Sequence, residues 1–149
     1  MSLDCIRLPR LLFPAQGIDL SRFAVIACDQ FTAQPSYWEH AERFVGGEPS
    51  CLRLMLPEVW LSADDRPRIE AIHRTMQAYL HDGTLSPLPE GLMLVERDTG
   101  RGCPRRGVLL AFDLEAYDET PGADTPIRPT EATVTERVPA RLAIRSEAP

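Results

Sequence analysis

The sequence contains no lysine and no asparagine, so each of its 16 positively charged side chains is an arginine. Both missing residues have A-rich codons, and their absence indicates a GC-rich genome. Mutational bias is therefore the first explanation of the many arginines, and phosphate binding is the second. The 22 acidic residues outnumber them and give a net charge of −6. A chain with this balance lacks the broad basic field that attracts nucleic acids, so no nucleic-acid partner is expected.

Long apolar runs and paired cysteines are missing as well. No apolar stretch approaches the roughly 20 residues of a membrane span, and the N-terminus lacks the basic-then-apolar order of a signal peptide. Neither a membrane partner nor export is therefore expected. The four cysteines form no C-x-x-C pair and have no histidine at metal-ligand spacing. They predict reduced thiols in a cytoplasmic protein, without a metal site.

Helical patterns stand out at two places. One helix is predicted to start at Pro35, with Gln34 or Thr32 near its cap, and to end at Gly46. The other is predicted over Arg66 to His81, where apolar residues recur at helical spacing behind a pair of aspartates. Both have polar side chains on the opposite side, which is typical of amphipathic helices on a globular core.

Strands are predicted in five stretches by short apolar or alternating runs bounded by turn residues. They are 7–14, 23–28, 51–56, 92–97 and 106–114. Because these runs lie too close together for helical crossovers, most pairing should be antiparallel, and the last two should form a hairpin.

The whole pattern predicts an α+β fold in a single domain over 1–149. It has a mixed, largely antiparallel sheet of about five or six short strands and two main helices. After Asp118 the chain is Pro-rich, with alternation returning only at 133–135 and 142–144, so an extended, partly irregular segment is predicted over 118–149.

A cluster of polar residues, CDQFT, follows the apolar run 23–28. A carboxylate at the end of a buried strand and before a helix stands where α/β proteins often hold ligands. Asp29 would accept a hydrogen bond from a substrate, or act as a base if burial raised its pKa, and Gln30 and Thr32 would donate. The alternative is an Asx turn with a helix cap, which needs only Asp29 and Thr32.

A second candidate lies in IRPTEATVTERVPAR, where arginines alternate with glutamates and threonines. Arg128, Arg137 and Arg141, with Thr133, are suited to binding a phosphate or carboxylate group. The alternative is that Glu131 and its neighbours neutralise these arginines in plain surface ion pairs.

Other patterns of chemistry are absent or have simpler explanations. Phosphate-binding glycine loops and the common hydrolase and zinc motifs do not occur. The three histidines fall on predicted helices and are expected to be surface or partly packed residues. The acids of DLEAYDE would suit a hard cation, but a solvated acidic loop is the simpler explanation. The sequence does not identify a cofactor, so the cofactor stays unknown.

Both polar stretches carry a family resemblance. The segment FAVIACDQFTAQPSYWEHAERFVGGEPSCLRLMLPEVWL resembles the N-terminal part of the family of domain of unknown function 1015, found in bacteria and archaea. IRPTEATVTERVPARLAIRSEAP resembles the same family's arginine-threonine-glutamate box. The resemblance covers nearly all of the chain and preserves the order of the motifs.

The resemblance implies a longer protein with a divided site. Family members are more than twice this length, and a later glycine-rich box of theirs is similar to one in ParB-like nucleotide-binding proteins and free serine kinases. The chain is thus expected to be an N-terminal part, inactive alone, that binds a nucleotide or phosphorylated metabolite. Asp29 and Glu131 would be the catalytic or hydroxyl-orienting carboxylates, and Arg128, Arg137 and Arg141 would hold the anion. The alternative is a non-catalytic module that packs against a missing C-terminal domain or a second copy.

Overall fold

The computed structural model describes residues 4–100, 102–118, 120–127 and 134–148. Its regular elements are short strands and helices, and the fold class is mixed α+β. The strands are β1 (Ile6–Arg7), β2 (Leu12–Pro14), β3 (Leu85–Pro87), β4 (Met93–Arg97), β5 (Arg105–Leu109) and β6 (Ala111–Phe112). The α-helices are α1 (Leu20–Phe23), α2 (Pro35–Val45), α3 (Arg66–His81) and α4 (Val138–Arg145).

The two predicted helices, α2 and α3, are confirmed with their expected boundaries. Proline occupies the first turn of each, where its missing N–H costs no hydrogen bond. Gly46 ends α2 with a φ of 58°, a backbone conformation that most other residues avoid. The position before α2 is held by Gln34, whose side chain makes no capping hydrogen bond.

The strand predicted over 23–28 is wrong. Phe23 ends α1, whose first turn is capped by the Asp19 carboxylate accepting from the Ser21 N–H at 2.9 Å. The residues that follow run as an irregular segment, and Val25 and Ile26 pack against the cluster around Trp38. The run is apolar because this loop packs on the core rather than because it pairs in a sheet.

The strand predicted over 51–56 is wrong as well. Cys51–Leu54 forms a 3₁₀ helix, capped by Ser50, whose hydroxyl accepts from the Leu52 N–H at 3.2 Å. Leu52 is fully packed while its neighbours are half-buried. A short 3₁₀ helix that buries one side chain per turn can therefore have the same apolar composition as a strand.

The strands form three separate pairs rather than one sheet: β1 with β6, β2 with β3, and β4 with β5. The predicted hairpin is confirmed, with β4 and β5 antiparallel and Val95 opposite Gly107. The predicted stretch 7–14 is divided between β1 and β2 around Pro9, which has no N–H to donate. The stretch 106–114 is likewise divided between β5 and β6.

The extended segment predicted near the C-terminus is also corrected. Residues 142–144 lie inside α4, with Pro139 in its first turn, and Thr135 begins a 3₁₀ turn. Leu-Ala-Ile reads as alternation over three residues, but Ala140 and Ile144 are four residues apart and share one helix face. The prediction for 133 falls outside the described residues.

Contacts divide the chain into two compact units. The strand unit comprises Met1–Leu12 and Pro87–Thr133, and the helical unit comprises Phe13–Ser86 and Val134–Pro149. The core of the helical unit is built on Trp38, Val45 and Leu52, with Tyr37, Ala41 and Trp60 among the side chains packed against them. The sequence predicts a single domain over 1–149. Whether the two units fold as one domain stays a prediction.

Candidate functional site

A cleft of about 250 Å³ opens on the helical unit. Its walls come from three parts of the chain: the loop 27–29, the segment 54–61 and helix α4. Ala27, Leu54, Leu56 and Ile144 give it an apolar floor, while Asp29, Glu58 and three arginines supply its charges. The cleft therefore joins the two polar stretches on which the sequence predictions rest.

Helix α4 contributes the arginines of the cleft. Arg137, at the N-terminal boundary of α4, and Arg141 and Arg145 within it are spaced four residues apart, so they follow one face of the helix. Arg141 Nη2 lies 2.7 Å from Glu58 Oε1 and 3.4 Å from Asp29 Oδ2. Arg137 Nη1 lies 3.2 Å from Glu58 Oε2. These three residues form an arginine stripe that faces two carboxylates.

Glu58 organises this arrangement, and the sequence predictions missed it. Its side chain is only 8% exposed, and each of its two oxygens contacts a different arginine. Its backbone N–H donates to the Cys28 carbonyl at 2.9 Å, so the residue also ties two walls of the cleft together. The available signal was its place in the LPEV stretch that carries the family resemblance.

The loop bearing Asp29 is held by hydrogen bonds and aromatic packing. The Gln30 N–H donates to the Ala27 carbonyl at 3.1 Å, and the fully buried Trp38 donates from Nε1 to the Gln30 carbonyl at 3.2 Å. Phe31 has a φ of 51°, which is uncommon outside glycine, and its ring stacks on Tyr37 at a centroid distance of 4.2 Å. This packing compensates for the backbone strain and fixes the direction of the loop.

Both Asp29 and Arg141 are charged at neutral pH. The Gln30 Nε2 donates to Asp29 Oδ1 at 3.2 Å, and this bond, with help from Arg141, lowers the pKa of Asp29 below its usual value. Burial acts in the opposite direction but is outweighed. The hydrogen bond that Arg141 donates to Glu58 raises the pKa of Arg141. A base at Asp29 would need a raised pKa, so this carboxylate is suited to orienting a ligand rather than to removing a proton.

The predicted site residues have different fates. Asp29, Arg137 and Arg141 meet in the cleft, although Asp29 and Arg141 are 112 residues apart in sequence. Gln30 contacts Asp29 from the exposed side. Thr32 lies exposed and does not line the cleft, and neither it nor Asp29 occupies the cap position of α2, which belongs to Gln34. The predictions for Arg128, Glu131 and Thr133 fall outside the described residues.

The remaining candidates have structural partners. Asp113 pairs with Arg7 at 2.8 Å and accepts from the Glu115 N–H at 3.2 Å. His73, on α3, packs against the C-terminal end of α4. In the part of the chain that the structure describes, no three histidine, cysteine or acidic side chains are placed to share a metal ion.

Comparison of the whole sequence with models of known protein families identifies one family. The model of the family "protein of unknown function (DUF1015)" matches residues 12–149. The chain belongs to the DUF1015 family. The resemblance carried by the CDQFT and arginine-threonine-glutamate stretches is therefore confirmed. No curated protein and no solved structure shows significant similarity to this DUF1015 chain. None of its described helices combines the length and apolar character needed to cross a membrane.

Proposed function

We propose that the cleft of this DUF1015 protein binds a small anionic metabolite that carries a phosphate or carboxylate group. The observation that carries the proposal is the arginine stripe, in which three guanidinium groups line one cleft opposite two carboxylates. Arg145 has no ion-pair partner among the described residues, so the cleft has one positive charge in excess. An anion is the ligand that this charge attracts.

The ion pairs of the cleft leave donors for a ligand. A guanidinium group has five N–H donors. The contacts with Glu58 and Asp29 use Nη2 of Arg141 and Nη1 of Arg137, and both side chains remain nearly half exposed. Glu58 therefore holds the two guanidinium groups in place and leaves their other N–H groups for a ligand. Preorganised arginines of this kind favour bidentate binding of phosphate or carboxylate oxygens.

The size of the cleft favours a phosphorylated metabolite over a whole nucleotide. Ligand pockets for larger molecules commonly measure about 300–1,000 Å³, and this cleft measures about 250 Å³. It would accept a phosphoryl group with a small attached body. Asp29, ionised and about one-third exposed, would accept a hydrogen bond from a hydroxyl or amino group of that body. Glu131 remains a second candidate for this role.

A second candidate function, a binding or assembly module, is favoured by the hairpin of the strand unit. Leu94 is 68% exposed and the opposing Val108 is also exposed. Apolar side chains concentrated on one hairpin suit contact with another protein surface. This candidate requires no ligand in the cleft.

Calorimetric titration with inorganic phosphate, phosphoserine, serine and AMP separates the two functions. Arg145→Gln removes a guanidinium group that has no described ion-pair partner, so the fold should persist. We expect it to weaken phosphate or phosphoserine binding by at least about tenfold, because a hydrogen bond to a charged group contributes about 1.5–3 kcal/mol. Arg74→Gln, an exposed arginine of α3 outside the cleft lining, makes the same charge change and should leave the affinity unchanged.

The outcomes have distinct meanings. Binding that is equally weakened by both substitutions would reflect net charge and contradict a site in the cleft. An absence of heat with all four compounds would overturn the proposal and leave the assembly module as the better account.

A further inference from the structure

Helix α4 is anchored at its C-terminal end by a histidine that does not line the cleft. His73 lies in the middle of α3 with a side chain that is only 13% exposed. Its Nε2 atom is 3.1 Å from the carbonyl oxygen of Ala143 and 3.0 Å from that of Ile144. Its Nδ1 atom is 3.4 Å from Glu147 Oε2. All three acceptors belong to the last turn of α4 or to the residues just after it.

These contacts match the needs of a helix end. The last carbonyl groups of a helix lack partners within the helix and carry a partial negative charge. Because both neighbours of Nε2 are carbonyl oxygens, Nε2 carries the hydrogen and donates it. A helix of eight residues is too short to be stable alone. The position of α4 therefore depends on its attachments, which include Glu58 near its start and His73 near its end.

The protonation of His73 changes the second attachment. A protonated imidazole donates from Nε2 to the carbonyl groups and from Nδ1 to Glu147. A neutral imidazole that keeps its Nε2 hydrogen presents a lone pair to the Glu147 carboxylate, and the favourable contact is lost. The other charged side chains close in sequence to these contacts are Glu70 and Arg74 on α3 and Arg145 on α4.

We propose that His73 is a positioning residue of the cleft. It fixes the end of α4 that bears Arg141 and Arg145, and it makes anion binding tighter when its imidazole is protonated. The inference rests on the proposed function, since it assigns a pH response to the same site. It adds a residue that never touches the ligand and a direction for the response: affinity falls as the pH rises through the range in which histidines lose their charge.

Sulfate is the appropriate probe, because its charge is constant between pH 5.5 and 8 whereas that of phosphate changes. Its affinity is measured by calorimetry across that range. We expect the wild type to bind sulfate about three- to tenfold more tightly at the acidic end, the range expected for a cation at a helix C-terminus. His73→Gln keeps a donor for the carbonyl groups but does not titrate, so it should bind with a flatter pH profile. His73→Ala should bind more weakly at every pH. His40→Gln, an exposed histidine of α2 outside the cleft lining, should retain the wild-type profile.

A second measurement tests the anchor without any ligand. The Ser146 N–H donates to the Leu142 carbonyl at 2.9 Å and reports on the last turn of α4. Its protection from hydrogen exchange, corrected for the intrinsic effect of pH, should fall in His73→Ala and stay intact in His40→Gln. If His73→Gln reproduces the wild-type pH profile, the pH response does not come from His73 and the inference is wrong. If the wild type binds neither sulfate nor any of the four compounds used above, the proposed function fails and so does the pH coupling, while exchange at Ser146 still decides whether His73 anchors α4.

Discussion

The two units of the chain use their apolar residues in opposite ways. Among the described residues, every large hydrophobic side chain of the buried core belongs to the helical unit. These side chains are Phe23, Trp38, Val45, Leu52, Leu56, Ile72 and Tyr79. In the strand unit, every residue of β5 is exposed, and so are four of the five residues of β4.

The comparison shows two different sources of order. The hairpin satisfies its backbone by strand pairing, and its polar side chains pair across the strands, as Arg106 does with Glu96 at 2.7 Å. A two-stranded hairpin with little burial is only marginally stable in water. The helical unit instead gains stability from removing large side chains from water. A cleft whose charged groups must hold their geometry is therefore better supported by the helical unit, where Glu58 and the Asp29 loop rest on buried residues.

The largest expected effect comes from Trp38, which is 0% exposed and donates a hydrogen bond to the Gln30 carbonyl. Trp38→Ala should lower the free energy of unfolding of the helical unit by about 3–5 kcal/mol, because it leaves a large cavity and removes that bond. Leu94→Ala, at a position that is 68% exposed, should change it by less than about 0.5 kcal/mol. Urea denaturation followed by circular dichroism measures both.

The contrast between these variants tests the comparison itself. Equal losses in the two variants would mean that the hairpin is as important for stability as the core. The comparison of the two units would then be wrong.

A smaller effect is expected from the buried polar contact of the helical unit. The Tyr79 hydroxyl accepts from the Ser50 N–H at 2.9 Å, and Ser50 is fully buried. Tyr79→Phe should cost about 1–3 kcal/mol in the same unfolding experiment, since it leaves a buried N–H without an acceptor. Tyr117→Phe removes the same atom from an exposed side chain of the strand unit and should be neutral. A neutral Tyr79→Phe would indicate that water replaces the lost hydroxyl.

The sequence predicted the elements whose signals are local. The boundaries of α2 and α3 follow from a proline at the start and a glycine after the end, and the β4–β5 hairpin follows from its loop residues. The segments 23–28 and 51–56 were assigned wrongly, because an apolar run indicates burial but does not distinguish a strand from a packed loop or a 3₁₀ helix. That distinction depends on the Ser50 cap, which is local, and on packing around Trp38, which is a tertiary effect.

The site was partly accessible to the same reasoning. Asp29, Arg137 and Arg141 were selected for their chemistry, and the fold brings them together. Glu58 was not selected, because an acid between apolar residues has no chemical signature until its neighbours are known. The contacts of His73 with α4 span 70 and 71 residues of sequence, so no local pattern announces them.

The smallest expected effect concerns the ion pair between Asp29 and Arg141. Its contribution to the stability of the helical unit should depend on pH. Because the folded protein holds the pKa of Asp29 below its usual value, this carboxylate adds stability above about pH 4, where an unfolded aspartate is ionised. That contribution is lost as the pH falls through the lower pKa of the folded state. Asp29→Asn should therefore lower the free energy of unfolding by less than about 1 kcal/mol at pH 7, since the pair is partly exposed.

The difference between wild type and Asp29→Asn should shrink as the pH falls below about 4, and it should vanish once Asp29 is protonated in the folded state as well as in the unfolded state. Asp124→Asn provides the matched control, since Asp124 is exposed in the strand unit and has no ion-pair partner among the described residues. It should leave the free energy of unfolding unchanged at pH 7. A destabilisation by Asp29→Asn that persists unchanged at low pH would show that the side chain acts through packing of its loop. Arg141 would then hold α4 through Glu58 alone, and the charge of Asp29 would contribute to ligand contacts rather than to the stability of the fold.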